Sequence, residues 1–179
     1  DILVLLATFF LTIVFDLVVA IEVGMILACV LFMKRMSDET NVISWKYKEQ
    51  TVEADSDSVK QTLMDVPKNI RVYEISGPLF FGAADQIERI ELKAYTEYLI
   101  VRMRGVPAMD STAMNSMTSL KDRCEKKGIT LILSHVNEQP MKAMKKSGLY
   151  TAIGADNFKA DITTAIKYAE SLSQSRISQ

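Results

Sequence analysis

The most suggestive group for chemistry in this sequence is Met109-Asp110-Ser111-Thr112-Ala113. It follows an apolar run that reads as a buried strand and opens a segment that reads as a helix. An oxygen-bearing side chain at such a junction accepts a backbone N–H of the first helical turn, so Asp110 or Ser111 can cap the helix. A helix N-terminus also favours negative charge, so an anion or a phosphate on Ser111 is the second reading, with Asp110 and Thr112 in the same candidate group of phosphoacceptor or cap. Capping is the reading the residues favour.

Other candidate groups stand apart from this one. From Ile2 to Met33 the charged side chains are Asp16 and Glu22. Ionised groups inside a bilayer are costly and often functional, but both lie near a break in the apolar run, where water reaches them, and that reading is preferred. His135 is the single histidine; it follows a strand, has no partner evident in the sequence, and reads as structural or solvated. Cys29 and Cys124 show neither metal-ligand nor disulfide-framework spacing, and a reducing setting such as the cytosol is expected for the soluble part. No nucleophile elbow, Walker-type loop or dinucleotide fingerprint occurs, so no enzyme activity, cofactor or metal is expected.

The elements that must carry these residues fall into two unlike parts. A bilayer core of about 30 Å takes about 20 helical residues. The run Ile2–Met33 would make a helix of roughly 48 Å, too long for one straight span. It divides near Phe15-Asp16-Leu17, which predicts two short membrane helices. Lys34 and Arg35 follow the run, which places the downstream part in the cytoplasm by the positive-inside bias. A signal peptide would carry its basic residues first, and the chain reads as a piece of a longer membrane protein.

The expected domain layout is membrane helices over 1–36, a neck and first edge strand over 37–66, and a sheet domain over 67–179. Residues 41–48, with Val42, Ile43, Trp45 and Tyr47, read as an edge strand, and the acidic stretch 53–58 as a loop. Ile70–Ile75, Tyr98–Met103 and Ile129–Ser134 read as strands; Leu79-Phe80-Phe81-Gly82 is a short apolar stretch. A helix from about Ala83 would bury Ala84, Ile87, Ile90 and Ala94. A second, from Ser111, would bury Ala113, Met117, Leu120 and Cys124, with Gly128 as its stop. Pro140 suits the first turn of a short helix ending near Gly148. Asp161 can cap a last helix facing inward through Ile162, Ala165, Ile166 and Ala169. Strands alternating with helices predict a mostly parallel α/β sheet flanked by helices. The chain carries 21 basic and 22 acidic residues, interleaved, which argues against a nucleic-acid surface.

Several of these stretches, in this order, resemble one family. Gly77-Pro-Leu-Phe-Phe-Gly-Ala-Ala84, Leu99-Ile-Val-Arg-Met103, Asp110-Ser-Thr112 and Gly128-Ile-Thr-Leu-Ile-Leu133 look like the STAS (sulfate transporter and anti-sigma factor antagonist) domain of SulP-type anion transporters. Phe15-Asp-Leu-Val-Val-Ala-Ile-Glu-Val-Gly24 and Leu31-Phe-Met-Lys-Arg-Met36 look like the last membrane helices of those transporters. The resemblance implies an integral membrane protein of the inner or plasma membrane, moving sulfate, bicarbonate or a dicarboxylate by ion coupling or exchange. Its anion site would be built mainly by earlier helices. It further implies a cytoplasmic STAS domain that affects transport and assembly, and a homodimer. Two alternatives come with it: a switch of the anti-sigma factor antagonist type, phosphorylated at the position of Ser111, and a docking module for an acidic partner such as acyl carrier protein. Ala113 stands where the soluble antagonists often carry glycine.

The change in composition at Lys34 generates a first prediction. A chain starting at about Ser37 is expected to be soluble and monodisperse, whereas residues 1–33 partition into detergent. A need for detergent by the shorter chain, read by size-exclusion chromatography, would refute this boundary.

Overall fold

The computed structural model describes residues 2–14, 16–38, 40–44, 66–81 and 84–177. The apolar run forms α1 (Ile2–Val14) and α2 (Leu17–Asp38). The break falls at the expected place. The Asp16 carboxylate accepts the Leu17 N–H at 2.7 Å, and its carbonyl accepts the Ala20 N–H at 3.0 Å, which starts α2. The two halves are unequal, however. Among the described residues one helix has the length and composition to cross a membrane, Leu17–Arg35 with a mean hydropathy of 2.3, whereas α1 is 13 residues long, about 20 Å. The two helices pack where Ala20 is buried and where a side chain at Gly24 would collide with Thr8. Thr8 and Thr12 donate their hydroxyls to carbonyls one turn back, at Val4 and Thr8, so their polarity is satisfied within the helix.

The rest is a five-stranded sheet in the order β1 (Asn41–Ser44), β2 (Ile70–Ser76), β3 (Tyr98–Gly105), β4 (Thr130–Ser134), β5 (Phe158–Lys159). β1 runs antiparallel to β2, and the other pairs are parallel. The β1 edge strand expected over 41–48 is present as far as Ser44; Trp45, Tyr47 and the acidic stretch 53–58 lie outside the described residues.

β3 is central and covered on both faces, which explains its nearly continuous apolar sequence. On one face Leu99, Val101 and Met103 meet side chains from α3 (Ala84–Glu88), α4 (Ser111–Lys126), α5 (Glu138–Ser147) and α6 (Leu149–Ile153). On the other face Tyr98 and Ile100, with Ile70, Val72 and Ile132, meet α7 (Ile162–Ile177). The inward residues of α4 and α7 are those the helical period selects: Ala113, Met117, Leu120 and Cys124, then Ile162, Ala165, Ile166 and Ala169. Arg102 interrupts the apolar run of β3 and lies 3.4 Å from Glu74, its in-register neighbour on β2, with both side chains largely buried. Gly128 (φ +67°) and Gly148 (φ +82°) take the left-handed conformations that end α4 and α5.

The helix expected from Ala83 through Ala94 stops early. α3 ends at Glu88, and Ala94 is exposed in a turn. Arg123 of α4 donates to the carbonyls of Glu88 (2.9 Å) and Ile90 (2.7 Å), and Lys127 to that of Leu92 (3.0 Å). These distant cations satisfy carbonyls that a continuing helix would have used itself, and Leu92 takes the buried place expected of Ala94.

Asp161 caps α7 as its position predicts. Its carboxylate accepts the Thr164 N–H and the Thr164 hydroxyl, each at 2.8 Å. Those bonds, the backbone one first, hold its pKa below the usual carboxylate value. A carboxylate whose folded pKa is depressed adds stability that is complete above its unfolded pKa of about 3.9 and lost as pH falls through the folded pKa. Asp161→Ala is therefore expected to cost about 0.5–2 kcal/mol at neutral pH. The difference from wild type should shrink as pH falls below about 4, read by denaturant melts at a series of pH values. A pH-independent difference would count against an ionised cap.

Candidate functional site

The carboxyl ends of β2 and β3 and the N-terminus of α4 form one small, tightly bonded region. β3 ends at Gly105, whose backbone passes so close to β2 that a Cβ there would lie 2.9 Å from the Ser76 Cα and 2.8 Å from the Ser76 Oγ. No side chain fits that approach without moving β2. Gly77, at φ +100°, then turns the chain and donates its N–H to the Gly105 carbonyl at 2.8 Å. Beyond the turn the two loops keep pairing: Leu79 N–H to the Ala108 carbonyl at 2.9 Å, and Asp110 N–H to the Leu79 carbonyl at 3.0 Å. Leu79 is fully buried between them.

Two side chains at the start of α5 hold the loop from the other side. Asn137 donates to the carbonyls of Val106 (2.7 Å) and Arg104 (3.0 Å). Gln139 grips the peptide groups of Met109, accepting its N–H at 2.9 Å and donating to its carbonyl at 3.1 Å. Sequence reasoning singled out neither residue. Their partners are backbone atoms roughly thirty positions away, and no periodic pattern marks such work.

The cap on α4 is Asp110. Its backbone is extended (φ −100°, ψ −176°), and its carboxylate accepts the Ala113 N–H at 2.8 Å. Ser111, for which capping was the favoured role, is instead the first helical residue; it is exposed, and its hydroxyl bonds no described residue. The reason is register: an N-cap carboxylate reaches the N–H three residues on from an extended backbone, and Ser111 is already helical. Thr112 is half-buried beside it. The result is an exposed hydroxyl at the positive end of a 16-residue helix, just after a loop pinned from both sides. A negative group there would feel attraction from the helix end and repulsion from Asp110.

The other sequence candidates do not join this site. Asp16 lies at the break between α1 and α2 and Glu22 lies within α2, both exposed. His135 ends β4 in a left-handed conformation (φ +52°), with its N–H donated to the Lys159 carbonyl at 2.9 Å. Cys124 is buried, and that burial pushes its thiol up to about 11, far from a reactive thiolate. Among the described residues no cluster of His, Cys, Asp and Glu could hold a metal ion.

A mostly parallel sheet with an antiparallel leading strand and helices on both faces is the fold of a STAS-type domain. The chain belongs to the STAS domain family, whose model matches residues 61–165. It is 31% identical over 163 residues to YvdB of Bacillus subtilis, named as a sulfate transporter, and 24% identical over 174 residues to the bicarbonate transporter BicA of a Synechocystis species. These alignments cover 88% and 93% of this chain, but the chain spans just 28% and 30% of those relatives. Among solved structures, a sulfate transporter family protein from Wolinella succinogenes is 34% identical with a TM-score of 0.59, covering 69% of this chain and 99% of that one. The structure of SLC26A9 matches in fold, with a TM-score of 0.68 at 13% identity; 97% of this chain, including the apolar helices, is covered, and 30% of that one.

The distinction between cap and hydroxyl is measurable. Asp110→Ala is expected to cost about 0.5–2 kcal/mol, and Ser111→Ala less than about 0.5 kcal/mol, in denaturant melts. Equal losses, or a larger one for Ser111, would contradict the assignment of the cap.

Proposed function

We propose that the intact protein is a secondary anion transporter of the SulP type, for sulfate, bicarbonate or a dicarboxylate, and that this portion is its last membrane helix joined to a cytoplasmic STAS domain regulating transport and assembly. One observation carries the reading. A helix of membrane-spanning length, α2, ends at Asp38, and Thr40 is already fully buried in the sheet domain. A domain so joined to a membrane helix is suited to sense or bias that helix. The names of YvdB and BicA support the choice of anions, and the basic pair Lys34 and Arg35 after the apolar run supports the cytoplasmic side. The apolar side chains exposed along α1 and α2 suit contact with lipid or with further membrane helices. The reading gives the domain no catalytic step and keeps the expectation of a homodimer.

The exposed Ser111 favours a second, compatible role: the N-terminus of α4 is a control point, switched by phosphorylation of Ser111. The test uses the intact transporter in proteoliposomes with labelled sulfate and bicarbonate. Uptake of at least one is expected. Ser111→Asp is expected to change the uptake rate, while Ser111→Ala leaves it near wild type. Absence of uptake of either anion would sink the substrate class, and identical rates for all three proteins would sink the control point.

A further inference from the structure

Covalent geometry ties one end of the sheet domain closely to the apolar span. The span ends at Arg35 and the helix runs on to Asp38, a rise of about 4.5 Å; two further residues add at most about 7 Å. Thr40 therefore lies within about 12 Å of Arg35 whatever course those two residues take. Thr40 is fully buried, and its hydroxyl donates to the Pro78 carbonyl at 2.7 Å. Gln86 fixes the same stretch: its side-chain amide donates to the Thr40 carbonyl, and its side-chain oxygen accepts the Val42 N–H at 3.1 Å. Asn41 then pairs with Ser76, the last residue of β2. The end of the domain held near the span is thus the carboxyl end of β2 and the turn that follows it.

That turn carries the most exposed apolar side chain of the sheet domain. Among its described residues the exposed large hydrophobics are Phe81 at 81%, Tyr95 at 51% and Ile43 at 37%. Ile43 stands three residues after Thr40 and Phe81 three residues after Pro78, whereas Tyr95 lies at the opposite end, just before β3 begins at Tyr98. Leu79 turns inward, and the Phe80 N–H folds back onto the Pro78 carbonyl at 3.2 Å, so the turn is tight. Phe81 is at most about 11 Å from Pro78 by chain length. We infer that Phe81 rests in the lipid headgroup layer beside the end of α2 and anchors this end of the domain to the bilayer surface. The inference rests on the reading of α2 as a membrane helix. A single exposed phenylalanine is ordinary on a soluble surface; the place of this one, on the turn bonded to Thr40, is what distinguishes it. The headgroup layer is roughly 5–8 Å deep on each side of the hydrocarbon, and an aromatic ring gains by leaving water for the boundary between headgroups and acyl chains. Lys34 and Arg35 set positive charge at the same level, which favours anionic headgroups. One ring with a partly exposed Ile43 is too small a surface for a protein interface, which buries roughly 800 Å² on each partner. It is enough to enter a layer of lipid.

The test adds one tryptophan at a time to the full 179-residue chain in lipid nanodiscs. The lipid is a mixture of phosphatidylcholine and phosphatidylglycerol, with bromine on the acyl carbons nearest the headgroup, and bromine quenches an indole that touches it. Trp45 emits in every variant, so wild type in the same discs is subtracted. The variants are Phe81→Trp, Tyr95→Trp and Phe32→Trp, all at exposed positions where a larger ring is accommodated. The emission added by Phe81→Trp is expected at shorter wavelength than that added by Tyr95→Trp, and brominated lipid should remove a large share of it. Tyr95→Trp should lose none. Phe32→Trp, on α2, reports the membrane helix itself and should be quenched. If Phe32→Trp is quenched and Phe81→Trp is not, the anchor is refuted and the membrane reading of α2 stands. Equal quenching at Phe81→Trp and Tyr95→Trp would also refute it, since the domain would then meet lipid without preference for this turn. An unquenched Phe32→Trp would remove the membrane reading and the anchor together.

Discussion

Everything in the sheet domain depends on burying β3 on both faces. A strand in that position must present apolar side chains alternately up and down, and its backbone must be paired along both edges. β2 and β4 supply the edges, and the two helical layers supply the faces. The one polar side chain this leaves in the middle, Arg102, is held within reach of Glu74. An unpaired cation at such a depth would cost several kcal/mol. With β3 fixed, the loop that leaves it is fixed as well, because Gly105 must slide past Ser76 with no side chain between them. The N-terminus of α4 therefore has a defined place before any of its own contacts are considered.

That placement gives the exposed end of α4 an uneven electrostatic character. The first N–H groups of a helix have no partner within it. Asp110 takes the N–H of Ala113 and places a negative charge at the helix end. The N–H groups of Ser111 and Thr112 stay without an intrahelical acceptor by helix geometry alone. A second anion arriving there meets donors and a helix dipole in its favour and a carboxylate against it.

The strands β2, β3 and β4 and the helices α4 and α7 were legible in the sequence because their apolar spacing repeats often enough to define a face. β5 and α6 were not: two residues and five residues carry no period. The end of α3 was misread for a different reason, since what stops it is a pair of cations, Arg123 and Lys127, from the far end of another helix. At the site, Asp110, Ser111 and Thr112 were found from their place between a strand and a helix. Which of the first two caps depends on where helical backbone begins, a matter of a single residue. Asn137, Gln139, Thr40 and Gln86 were missed altogether. Each works by gripping the backbone of a segment distant in sequence, and a polar side chain looks the same in a sequence whether it does this or faces water.

Among the described elements the two faces of the sheet are covered unevenly, four helices against one, and this bears on the order in which they close as the chain is made. Among the described elements α7 leaves the ribosome last. Until it does, Ile70, Val72, Tyr98, Ile100 and Ile132 lack the cover that α7 gives them. The nascent domain is then half closed, with one core assembled and the other open to chaperones or to a neighbouring chain. The docking of Ile162, Ala165, Ile166 and Ala169 covers that face, so α7 closes the second core in one step with its own folding.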